Sequence, residues 1–133
     1  MILDEPTSQL DPIAAADFLN TIRQINRDLG TTIIITEHRM EDVFSAADRV
    51  VVMDQGKVIA NDHPGIVGKT LFDKKHALFS GLPAPMQVYY QMGCTGESPM
   101  TVRDGRTWLE DVLNEKKRKN GVSLQKEEEN YGL

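Results

Sequence analysis

One cysteine, Cys94, stands in the 133 residues, so an internal disulfide is excluded. A lone thiol fits a reducing compartment. No apolar run approaches the roughly 18–20 residues needed to cross a bilayer. The first residues also lack the basic, apolar and small-residue succession of a secretory signal. Basic charge is in deficit: 15 Lys and Arg stand against 20 Asp and Glu, for a net charge of -5 and a pI near 5.1. That balance argues against a broad basic face and a nucleic-acid partner. His63, His76 and Cys94 lie far apart, without the short spacings of a metal site. A soluble, cytoplasmic chain is expected.

With 40% hydrophobic and 26% charged residues, the chain has the material for one modest globular core. "MIL" ahead of Asp4 and Glu5 reads as the end of a buried strand. From Pro12 to Leu29 the spacing turns helical, with Phe18, Ile22, Ile25 and Leu29 on one face. Asp11 is placed to cap that helix, Pro12 suits its first turn and Gly30 its end. "TTIIITEH" is a second buried strand ending in polar residues. After a short helix, "DRVVVMDQGKVIAND" predicts a hairpin that turns at Gly56. Strand, helix, strand, helix in that order predicts an α/β fold with a parallel sheet. Beyond Asp62 the pattern is mostly helical: around 69–80, from Pro85 to Met92, and from Asp104 or Gly105 onward. Trp108, Leu109 and Val112 form a packing face on the last helix, and Tyr89 and Tyr90 are expected at core and rim. From Asn120 on the chain is polar, which predicts a loose tail.

Adjacent acids at a strand end face different ways, because side chains alternate along an extended chain. Asp4 and Glu5 can therefore do separate jobs. Phosphoryl transfer to water needs two such jobs: a metal that neutralises developing charge and a group that orients the nucleophile. On that logic Asp4 partners Mg²⁺ through water and Glu5 is the general base. Taken alone, the pair reads better as a surface Asp-Glu pair capping a loop.

"LDEPTSQLDP" followed, after an apolar strand, by "TEH" resembles the ATP-binding cassette family. The resemblance makes "MILDE" the Walker B strand, Ser8 to Asp11 the D-loop and His38 the switch histidine. It implies that His38 bonds the γ-phosphate of ATP and that Ser8 and Asp11 border the neighbouring site of a dimer. The implied fold is a partial P-loop NTPase (RecA-like) core with parallel strands and flanking helices, plus a helical C-terminal extension. "TEHRMEDVFSAADRVVVMDQGKVIAND" and "SPMTVRDGRTWL" are similar to the ATPases of energy-coupling-factor importers, in the first cassette of a fused pair. The likeness covers residues 1–113 and is densest through residue 62. It divides the chain into a C-terminal half of a cassette core (1–62), a mostly helical region (63–113) and a charged linker or tail (114–133). Lys116 to Lys119 then read equally as a linker toward a second cassette or as a solvated helix end. The implied cofactors are ATP and Mg²⁺. The implied partners are a second cassette and a membrane-embedded coupling subunit, on the inner face of the cell membrane.

The family's phosphate loop, G-x-x-x-x-G-K-[ST], has one imitation here. "HPGIVGKT" (63–70) matches at Gly68, Lys69 and Thr70, but His63 replaces the first glycine and Pro64 removes an amide from the loop. It is expected to be a loop entering a helix. The resemblance puts the true loop, the Q-loop and the "LSGGQ" signature N-terminal to Met1, which predicts a truncated cassette with no ATPase activity of its own and exposed apolar faces. Two alternatives share the same motifs: a non-catalytic interaction module or inert remnant, and a cassette ATPase of DNA repair or translation.

Overall fold

The computed structural model describes residues 1–131, with side chains through Gly121. The architecture is the expected α/β one, a parallel strand pair with flanking helices and a helical C-terminal end. β1 (Ile2–Asp4) and β2 (Ile34–Thr36) pair in the register Ile2 with Ile34, Leu3 with Ile35, Asp4 with Thr36. Parallel neighbours need a long crossover, and α1 (Pro12–Leu29) supplies it. Its ends follow the chemistry read from the sequence. Asp11 Oδ1 accepts from the Ala14 amide at 2.8 Å. Gly30 closes the helix at φ 63°, a left-handed conformation open to glycine without a Cβ penalty.

The buried stripe of α1 differs from the expected one. Ala15, Leu19 and Ile22 are buried, Phe18 and Ile25 half-buried, and Leu29 is 73% exposed. A period of 3.6 allows several neighbouring stripes, and the elements packed alongside decide which is covered.

α2 (Met40–Phe44) leads to the hairpin of β3 (Val50–Asp54) and β4 (Lys57–Asp62), antiparallel with a register shift between Val52 and Met53. Gln55 and Gly56 turn it at φ 50° and 74°. Two positive φ values in succession match the right-handed twist of the flanking strands.

Residues 63–70 are helical from Pro64, not a loop: α3 (Pro64–Asp73) is capped by His63, and the Val67 amide bonds the His63 carbonyl at 3.0 Å. Where one helix was expected around 69–80, α3 ends and a separate 3-10 helix, Ala77–Gly81, follows. Lys75 at φ 51° and an extended His76 make the break. α4 (Ala84–Gln91) falls where the sequence predicts it. α5 (Val102–Tyr131) starts earlier than expected, because Thr101 Oγ1 accepts from the Asp104 amide at 3.1 Å and caps it. Its backbone stays helical through the stretch expected to be loose after Asn120. Residues 132–133 of that expected tail, and its side chains from 122 on, lie outside the described residues.

The main core joins Phe44, Val52, Val67, Leu71, Leu82, Met86, Tyr89 and Tyr90. Each such side chain contributes about 1.5–3 kcal/mol by leaving water. Both tyrosines are buried, not one, and their rings meet edge to face at 5.4 Å. From α5, Trp108 reaches Tyr89 at 5.3 Å, while Leu109 remains 41% exposed. Helix packing is close at Gly105, where an added Cβ would lie 2.8 Å from Pro85 Cβ. Ile2 and Ile34, neighbours on β1–β2, are 75% and 55% exposed. Among the described residues, no helix is long and apolar enough to cross a membrane.

Candidate functional site

The C-terminal ends of β1 and β2 bring charged side chains together. Asp4 and Thr36 are register partners, and the Thr36 hydroxyl donates to Asp4 Oδ1. One residue on, the Glu5 amide donates to the Thr36 carbonyl at 2.9 Å. Glu5 then leaves the strand at φ 45°. A side chain with a Cβ adopts that left-handed region at a cost of roughly 1–2 kcal/mol. Strain of this kind persists where the surroundings fix it and collects at functional sites.

The turn at Glu5 breaks the strand alternation and takes its carboxylate to His38, whose Nε2 lies 2.5 Å from Glu5 Oε1. His38 is 86% exposed and Glu5 41%, so the pair is open to water and to whatever solute approaches the strand ends. Exposure also screens the pair, which therefore adds little to stability.

Beyond Glu5 the chain folds into a tight turn. The Ser8 amide bonds the Glu5 carbonyl at 3.3 Å, and the Leu10 amide bonds the Thr7 carbonyl at 3.1 Å. Thr7 is buried, and both its amide and its hydroxyl donate to Glu37 Oε1, at 3.1 and 2.6 Å. The residues singled out from the sequence thus divide. Glu5 and His38 touch, and Asp4 lies beside them on Thr36. Ser8 and Asp11 are exposed on the far side of the turn, and Asp11 caps α1. Neither of their side chains hydrogen-bonds Glu5 or His38 among the described residues.

The structure also brings in Thr7, Thr36 and Glu37, which sequence reasoning passed over. A signal for them existed: a hydroxyl and a carboxylate immediately before His38, and a hydroxyl in the turn after Glu5. Their meeting depends on the strand register, which no local pattern states.

Lys69 and Thr70 sit within α3, where the Thr70 hydroxyl donates to the Ile66 carbonyl at 2.9 Å. A phosphate cradle needs amides free of helical bonding, and this segment does not offer one. Among the described residues, no group of three His, Cys, Asp or Glu side chains is placed to hold a metal ion.

No protein-family model matches the chain. A protein of Clostridium tetani bearing the name of an ABC transporter ATP-binding protein is 40% identical over 103 residues, 77% of this chain and 22% of its own length. A Methanosarcina acetivorans protein of the same name is 36% identical over 104 residues, 78% of this chain and 16% of its own. The chain belongs to the ATP-binding cassette family. Asp4 ends β1 and His38 lies two residues past the end of β2, the two strands standing on either side of the crossover α1 in sequence. An energy-coupling factor transporter ATP-binding protein, EcfA1, of Caldanaerobacter subterraneus subsp. tengcongensis is 46% identical over 69 residues, 52% of this chain and 24% of its own length. This cassette chain spans about a fifth of the length of the curated relatives it matches, 22% and 16% of the first two.

Proposed function

We propose that residues 1–62 supply the hydrolytic half of an ATP site in the motor subunit of an energy-coupling-factor type importer. The observation that carries this reading is the contact of Glu5 with His38 at the ends of neighbouring parallel strands. Glu5 accepts a proton from, or aligns, a water molecule. His38 holds the carboxylate in place and offers its other ring nitrogen toward the approaching phosphate. With one N–H on Glu5, the imidazole has a second to donate only when protonated, and in that form it favours the charge that develops on the phosphoryl oxygens.

Asp4 is the residue that would hold Mg²⁺. Among the described residues no multi-carboxylate cage stands beside it, and a single carboxylate fits this ion, which takes one or two protein carboxylates and otherwise substrate phosphates and water. Bound there with ATP, Mg²⁺ supplies neutralisation of phosphate charge. Thr36 orients Asp4 by donating to Oδ1, which leaves the second carboxylate oxygen for the metal or its water. In this reading Ser8 and Asp11, exposed on the turn, face a second cassette across the dimer interface, and the complex works against a membrane-embedded coupling subunit on the inner face of the cell membrane.

The triphosphate itself must be gripped by a phosphate loop and a signature motif, which none of these 133 residues supplies. Residues 63–70 are α3 and do not substitute. The 133 residues alone are accordingly inactive, and they become part of a working site once those two motifs are supplied. ATP turnover measured on the chain alone and on the completed cassette tests this. Turnover by the chain alone, or a completed cassette indifferent to Glu5→Gln, overturns the reading.

A further inference from the structure

Glu37 has no part in the proposed chemistry, yet its carboxylate accepts two hydrogen bonds at the strand ends. A single oxygen, Oε1, takes both the amide and the hydroxyl of Thr7, at 3.1 and 2.6 Å. Thr7 is 1% exposed, the one buried polar or charged residue among the described residues. Hydrogen bonds to an ionised acceptor are shorter and roughly twice as strong as neutral ones. Two donors of one residue on one oxygen also leave that residue a single orientation.

The register shows why a clamp is needed here. Carried one step past Asp4 and Thr36, the pairing would set Glu5 opposite Glu37, and like charges directly opposite repel. The left-handed turn at Glu5 separates them. One carboxylate goes out to His38 and the other stays on Thr7. Thr7 lies two residues beyond Glu5, inside the turn closed by the Ser8–Glu5 and Leu10–Thr7 backbone bonds. Whatever fixes Thr7 therefore fixes the direction in which the chain departs from β1.

We propose that Glu37 is a positioning residue: by clamping Thr7 it holds the left-handed turn at Glu5, and so holds the Glu5 carboxylate against His38. Glu37 acts through Thr7 and touches no reacting atom. Its catalytic consequence rests on the reading of Glu5 given under the proposed function, whereas the positioning is a matter of geometry and is testable without ATP.

The test is nuclear magnetic resonance on the isotopically labelled chain, unsubstituted and as Glu37→Ala, Glu37→Gln, Thr7→Val and Thr7→Ser. Two quantities are read: exchange of the Thr7 amide, and the Overhauser contact between the His38 ring and the Glu5 side chain. Glu37→Ala and Thr7→Val should speed Thr7 amide exchange by about tenfold or more and remove the Glu5–His38 contact, with circular dichroism unchanged. Thr7→Ser keeps both donors and should keep the contact. Should Glu37→Ala fail to fold, Glu37→Gln, which loses only the charge, carries the comparison with a partial weakening of the contact. The proposal is overturned if Thr7 is released while the Glu5–His38 contact persists, or if Thr7→Ser loses it as Thr7→Val does. Loss of the contact in Glu37→Ala, together with undiminished ATP turnover of the completed cassette carrying the same change, sustains the positioning role and removes the hydrolytic role of Glu5 instead.

Discussion

His38 Nε2 lies 2.5 Å from Glu5 Oε1, so the exit of one strand is tied to the exit of its neighbour by two side chains that both remain open to solvent. A pair that adds little stability but has a fixed geometry is suited to act on something that arrives from outside. In a cassette completed with a phosphate loop, Glu5→Gln and His38→Ala should each lower ATP turnover by about 10²–10⁴-fold, the range for loss of positioned proton transfer. Nucleotide binding, followed by equilibrium titration, should survive both changes.

Gly68 makes a prediction that separates packing from phosphate binding. A Cβ there would lie 2.4 Å from Met86 Cε and 3.2 Å from Tyr90 Cε2. Gly68→Ala should destabilise the chain by about 1–3 kcal/mol in denaturant unfolding, the usual cost of overpacking a close helix contact. Lys69 is exposed, and Lys69→Ala should change stability by less than about 0.5 kcal/mol. A true phosphate lysine would instead show its loss in nucleotide binding.

His76 joins the hairpin to the 3-10 helix. Its Nδ1 accepts from the Leu78 amide at 3.1 Å, so Nε2 carries the proton and donates to Asp54 Oδ2 at 3.0 Å. His76→Ala removes a cap and a tether together and should cost about 1–2 kcal/mol of stability. His76→Asn retains a capping oxygen and should recover part of that loss, as read from melting curves.

Burial lifts the Tyr90 hydroxyl above the ordinary tyrosine value of 10.0, against a smaller lowering by Ser98. Its hydroxyl donates to the Gly65 carbonyl at 2.6 Å, a bond that ionisation abolishes. Because the folded value exceeds the unfolded one, the contribution is intact below about pH 10 and is lost as the pH rises through the folded value. Alkaline unfolding should therefore coincide with the late phase of tyrosinate absorbance, and Tyr90→Phe should remove that phase.

Local signals in the sequence were reliable where local chemistry decides the outcome. Asp11, Pro12 and Gly30 bound α1 as their side chains dictate, and the Gln55–Gly56 turn closes the hairpin. Where neighbours decide, the reading shifted. Leu29 was placed on the inner face of α1 and is exposed, while Ala15 and Leu19 take the interior. The "HPGIVGKT" stretch is expected to be a loop entering a helix, yet His63 caps a helix that already starts at Pro64, and Gly68 serves close packing. At the strand ends, Asp4 and Glu5 stand out as adjacent acids and His38 through the family resemblance, but Thr7 and Glu37 do not. Their bond exists because the register sets two strand exits side by side, and register is a property of the pair, not of either strand.

The crossover that links β1 to β2 also sets an order of events. Val52 and Met53 meet their partners through a turn of two residues, whereas Asp4 and Thr36 are 32 residues apart along the chain. Closing the longer loop costs more entropy and is slower. The hairpin and the helices packed on it can therefore be in place before the strand exits find each other. The contact of Glu5 with His38 is therefore expected to form after the hairpin has closed.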